Sequence, residues 1–75
     1  MNPRLEVKLG RYANGQPRWL IVCPAGYGLP LIEALDANDR PAFPGRRSYG
    51  FGRDLARTMD AARFYADRLV PEKEL

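Results

Sequence analysis

The chain is 75 residues long with a formal charge of +3 and no histidine, which is one domain's worth of protein burying only about 60% of its unfolded surface. One helix on one small sheet fits that size, and an enclosed active site does not fit beside it. The single cysteine, Cys23, excludes an internal disulfide framework, and without clustered Cys and His there is no zinc site of the usual kind.

The composition also bears on chemistry. One serine (Ser48), one threonine (Thr58) and no histidine leave little for nucleophilic or acid–base catalysis, so no enzymatic activity and no cofactor are expected. Ten of the twelve basic residues are arginine, whose planar fork suits phosphates and carboxylates. A genome that favours arginine codons produces the same bias. No charged-then-apolar leader is visible, and the longest apolar run is residues 19–23. Neither secretion nor membrane spanning is expected, and the lone thiol fits a reducing compartment.

In chain order, Arg4-Leu-Glu-Val-Lys-Leu9 alternates apolar with polar, as a half-buried strand does. Asn14-Gly15 is a strong two-residue hairpin signal, and Arg18-Trp-Leu-Ile-Val-Cys23 supplies the second strand. A two-residue turn sets Leu9 against Leu20, Val7 against Val22, Gly10 against Trp19 and Arg11 against Arg18. The Leu9/Leu20 and Val7/Val22 face is then the one under the helix. Tyr12, Trp19 and Ile21 project from the other face, which is either covered by the following segment or open to a partner.

Residues 24–52 hold four prolines and five glycines and read largely as turns and loop. Within them, residues 31–35 (LIEAL) are expected to form a third strand ending in a turn at Asn38-Asp39, or else a short helix opening at Pro30. Pro41-Ala-Phe-Pro44 adds a short edge segment with Phe43 reaching the core. Pro24-Ala-Gly-Tyr-Gly-Leu29 lacks the third glycine, the lysine–hydroxyl pair and the following helix of a phosphate loop, so it reads as a reversal between strands. Cys23 reads as a packed thiol.

Leu55, Met59, Ala62, Ala66 and Leu69 recur at helical spacing, with Tyr65 on the shoulder, and predict a helix over 53–69 that Pro71 stops. An alternative start at Thr58 as N-cap is less consistent with a stripe that reaches back to Leu55. Residues 72–75 are expected to fray. The fold class is therefore α+β, a small antiparallel sheet of two to four strands with an N-terminal hairpin (4–23), packed on one C-terminal helix.

Arg46-Arg-Ser-Tyr-Gly-Phe-Gly-Arg53 interleaves basic and aromatic residues, the pattern single-stranded nucleic acid binding uses. It also echoes the start of an RNA-recognition motif but breaks its second half, and the second helix of that module is missing.

The Asn-Gly hairpin with Trp19, followed by Thr58-Met-Asp-Ala-Ala-Arg-Phe-Tyr-Ala-Asp-Arg-Leu69, resembles small ββ(β)α proteins of phage and mobile elements, including some anti-CRISPR proteins. The resemblance spans about half the chain and carries over no site residue. It implies a stoichiometric inhibitor that covers a site on a larger machine, often one that otherwise holds DNA, in bacterial or phage-host cytoplasm.

Two site expectations follow. A protein partner would meet Tyr12, Trp19 and Ile21 on the outer sheet face, with Arg46, Arg47, Tyr49 and Phe51 from the basic aromatic loop. A nucleic acid would instead meet Arg11, Arg18, Arg40, Arg46, Arg47 and Arg53.

Overall fold

The computed structural model describes residues 4–11, 13–30 and 38–75, and the side chains of all of these except 38–42. The expected third strand at 31–35 and Tyr12 lie outside the described residues. Among the described residues, six strands and one α-helix follow in chain order: β1 (Glu6–Arg11), β2 (Pro17–Val22), β3 (Tyr27–Gly28), β4 (Asn38–Phe43), β5 (Arg46–Gly50), α1 (Leu55–Tyr65) and β6 (Val70–Pro71). The architecture is α+β. One antiparallel sheet has the order β1-β2-β5-β4, and β3 pairs with β6 in a second, two-stranded sheet.

The hairpin register differs by one residue from the two-residue turn. Glu6 stands against Val22, Leu9 against Trp19, Gly10 against Arg18 and Arg11 against Pro17. Among the described residues of the hairpin loop only Gly15 takes a positive φ, 85°, whereas a two-residue turn of the Asn-Gly kind needs Asn14 there as well. The asparagine serves the loop through its side chain, accepting a hydrogen bond from the Gln16 amide at 3.0 Å. Arg11 and Arg18 therefore do not oppose one another. Gly10 makes room for a leucine and not for the indole, since a Cβ there would lie 2.8 Å from Leu20 Cδ1.

A slip of one residue exchanges the faces of a strand. Ile21, Cys23, Tyr49 and Phe51 lie under α1, where they form the core with Leu29 and Tyr65. Leu20, Val22, Arg18 and Ser48 are buried on the opposite face. Lys8 sits 5.7 Å above the Phe43 ring and Arg46 reaches Glu6 at 3.4 Å, so the edge strands β1 and β4 curl towards each other across that side. Burial on both faces explains why 19–23 is a continuous apolar run.

The expected turn at Asn38-Asp39 is strand. β4 forms a sheet edge, with Pro41 inside a pairing irregularity between Arg40 and Phe43, the setting in which a strand tolerates a residue with no N–H. Residues 46–50, expected in a loop, form the inner strand β5. The Pro44-Gly45 turn leads into it, with Gly45 at φ 70°, the arrangement of a type II turn.

The helix is shorter than expected. Asp54 caps it by accepting from the Arg57 amide at 3.1 Å, in keeping with the earlier of the two starts. Thr58 and Tyr65 are buried with Ala61 and Ala62 beside the core, while Leu55 and Met59 are 43% and 36% exposed. The buried stripe is thus rotated from the expected one. Helix α1 ends at Tyr65, and beyond it Val70, restricted to extended backbone by Pro71, pairs with Gly28 across the second sheet. The tail does not fray. Residues Glu72–Glu74 form a 3-10 turn, the Glu72 amide donates to Gly26 O at 2.9 Å, and Leu75 packs on Gly28.

This register makes a specific prediction for stability. Ile21→Ala removes a fully buried side chain and is expected to cost about 2–5 kcal/mol, whereas Leu9→Ala at a half-exposed site costs under about 0.5 kcal/mol. Urea unfolding of the two variants checks it, and equal losses would contradict the register.

Candidate functional site

The arginines and aromatics singled out in the sequence are mostly internal. Ile21 and Tyr49 are fully buried and Phe51 is 8% exposed, so they belong to the core and offer no docking surface. The Tyr49 hydroxyl is committed within the fold, accepting from the Leu29 amide at 3.2 Å. Trp19 is half-buried on the helix side of the sheet, next to Leu9 and Phe51.

The two arginines of the supposed loop hold strands together. Arg46 donates Nε to Cys23 O at 2.8 Å and Nη1 to Glu6 at 3.4 Å. Arg47 Nε lies 3.3 Å from Glu72 and ties β5 to the tail. Arg18 is 8% exposed, with its guanidinium over Gly50, where a Cβ would come within 3.1 Å of Nε. Of the expected nucleic-acid set, Arg11 and Arg53 are exposed and come together at the hairpin tip. Arg11 donates to Gly15 O at 2.9 Å and Arg53 to the Gln16 side-chain oxygen. The Arg40 side chain lies outside the described residues.

Among the described residues, a groove of about 660 Å³ lies between α1 and β1. Leu5 and Val7 line its strand side, Met59, Ala62 and Ala66 its helix side, and Arg4 and Arg63 its rim. It exists because β1 is the end strand of the sheet and α1 lies across β1 and β2. The half-exposed apolar side chains Leu9, Leu55 and Met59 lie on the same two elements. Of the stripe expected from the sequence, Ala62 and Leu69 pack against the core, while Met59, Ala62 and Ala66 line the groove.

The edge of β1 beside this groove is itself available. The Trp19 and Cys23 amides donate to Gly52 O and Arg47 O, both at 2.8 Å, so the odd-numbered residues of β2 turn their backbone groups towards β5. The even-numbered residues of β2 then bond β1 through Glu6, Lys8 and Gly10. Leu5, Val7 and Leu9 present their N–H and C=O groups outward, and among the described residues no strand pairs with them.

Comparison with family models, with curated proteins and with solved structures finds no match for this chain. Among the described residues, no helix is long and apolar enough to cross a membrane.

One ionisable group on this edge is displaced from its ordinary behaviour. The Arg46 charge is the main cause that lowers the Glu6 carboxyl below its usual 4.5, aided by hydrogen bonds from Arg46 and Lys8 and by the Lys8 charge, and opposed by desolvation. A depressed carboxyl contributes stability above its unfolded pKa and loses it as pH falls through the folded value. The Arg46–Glu6 contact is therefore intact at neutral pH and is lost only as acidification carries the carboxyl through its lowered folded value. An NMR titration of the Glu6 side-chain carboxyl carbon should show a midpoint that rises in Arg46→Gln, and an unchanged midpoint would reject Arg46 as the cause.

Proposed function

We propose that this chain is a non-catalytic protein-binding module that acts by occlusion, with its docking face along the open edge of β1 and the groove beside it. The observation that carries this reading is the combination of unpaired outward strand groups, an apolar trough and a cationic rim on one side of the molecule. An extended segment laid along such an edge gains main-chain hydrogen bonds, while its alternate side chains enter the trough. Arg4 and Arg63 favour acidic groups on that segment.

The non-catalytic part of the proposal is supported by where the few nucleophile-type groups lie. Cys23, Ser48 and Thr58 are each fully buried, and the Thr58 hydroxyl donates to Asp54 O at 2.8 Å. Inhibition of a DNA-binding machine, as the likeness to small phage proteins implies, is a proposal of the same kind, because covering a surface needs no reactive group. Direct nucleic-acid binding is the weaker reading, since Arg18 is buried and Arg46 and Arg47 are engaged within the fold.

Selection of displayed random peptides against the folded protein tests the docking face. The expected binders alternate apolar residues, carry an acidic side chain and shift the amide resonances of β1 and α1. Met59→Glu places a charge in the trough and should weaken them about tenfold, the scale of burying a poorly paired polar group. Peptides whose shifts cluster at Arg11 and Arg53, full binding by Met59→Glu, or no selected peptide would each overturn the reading.

A further inference from the structure

The two edges of the main sheet are protected differently. Edge strands invite pairing with other chains, and proteins blunt them with proline, bulges or charge. The β4 edge has both Pro41 and an irregular register. The β1 edge has neither, and its six residues pair with β2 without interruption. Two charges, Glu6 and Lys8, stand on it, and they are spaced so that they discriminate between neighbours instead of repelling all of them.

We propose that the occupant of the β1 edge is β1 of a second copy of this chain, paired antiparallel about a two-fold axis through Val7. This deepens the docking reading above and rests on it. The outward backbone groups belong to Leu5, Val7 and Leu9, so a hydrogen-bonded two-fold must be centred on one of the odd positions or lie between two such pairs. Centred on Val7, the apolar side matches Leu5 to Leu9 of the second copy, Val7 to Val7 and Leu9 to Leu5. On the opposite side Glu6 meets Lys8, and Lys8 meets Glu6. Centring on Lys8 sets Lys8 against itself, and centring on Glu6 opposes the two Glu6 side chains and sets Arg4 against Lys8. Like charges directly across a ladder are unfavourable and opposite ones favourable. Centring on Leu5 or Leu9 pairs part of the segment with residues outside it, so only the Val7 register matches every residue of Leu5-Glu6-Val7-Lys8-Leu9 within the segment and each of its charges with an opposite one.

The exposures fit that use. Leu9 is 49% exposed, and Glu6 and Lys8, which pair with each other at 3.4 Å within one chain, keep side chains 48% and 44% exposed, so each is accessible to a second strand. The second copy's Leu5, Val7 and Leu9 enter on the trough side, alongside Met59. An isologous contact of this kind closes on itself, giving a dimer with one continuous sheet and no fibre.

Charge reversal tests the register directly. Sedimentation or light scattering of the wild-type protein should show a mass rising with concentration to twice 8.5 kDa. Glu6→Lys places lysines at both positions and Lys8→Glu places glutamates at both, so each variant alone should be monomeric. An equimolar mixture of the two restores every opposite pair and should dimerise. Val7→Pro deletes an N–H that faces away from β2 and should abolish the dimer while far-UV circular dichroism reports an intact fold. A wild-type monomer at concentrations up to about 1 mM, or variants that self-associate as well as the wild type, would overturn the pairing. Failure of the mixture to associate would also overturn it. A monomer that still binds the selected peptides along β1 removes self-pairing alone, whereas a monomer that binds none removes the docking face as well.

Discussion

One extra residue in the hairpin loop decides which side of β2 the helix covers. Gly15 takes a left-handed φ after Ala13 and Asn14, and the connection between the paired Arg11 and Pro17 shifts the β1–β2 register by one position from the two-residue alternative. Side chains alternate strictly along a strand, so the shift moves Ile21 and Cys23 under α1 and turns Leu20 and Val22 to the far side. The pairing of Ile21 with Tyr49 and of Val22 with Ser48 then follows in β5. Register here is a long-range determinant set by a local one.

The consequence for the arginines is that much of the basic charge is structural. Arg46 bridges β5 to the end of β2 and to Glu6, Arg47 ties β5 to Glu72, and Arg18 is laid over Gly50. Exposed pairs of this kind contribute only about 0–1 kcal/mol each. Their effect is better seen as geometric, since they hold the ends of separate elements in place in a domain too small for a large core. The tail is held in the same way, by β6, the Glu72 amide and the Leu75 contact on Gly28. Phe64 shows how surface charge shields an exposed ring, with the Arg68 guanidinium 4.0 Å above its centroid and the Arg68 side chain donating back to Phe64 O.

Closing one sheet edge with proline and a bulge while leaving the other regular gives the molecule a direction. The regular edge coincides with the helix-side trough, so main-chain valences and apolar surface fall on one side. That coincidence arises from topology. The chain enters at β1 and completes the sheet with β4 and β5 on the other flank, and α1 then crosses back over β1 and β2.

Local rules were sufficient for several features. Alternation in 4–9 and the apolar run 19–23 marked two strands, Asn14-Gly15 marked the turn between them, and helical spacing marked α1. The packed Cys23 and the reversal at 24–29 were legible from residue type. What was not legible depended on partners distant in sequence. Arg46–Gly50 looks like a flexible basic loop until it is seen between β2 and β4, and Tyr49 and Phe51 look like anchors for another molecule until Tyr65 and Ile21 close over them. Leu55 and Met59 satisfy a helical period, yet the orientation of the helix on the sheet buries Thr58 and Tyr65 instead. The sequence by itself determined that the segments around 4–9 and 18–23 are extended and that the one around 55–65 is helical, because backbone propensity and periodicity act over a few residues. Which faces are buried, which edge stays open and where the helix stops were decided by tertiary structure alone, because a period-2 or period-3.6 pattern is compatible with either face until a distant strand or tail claims one of them.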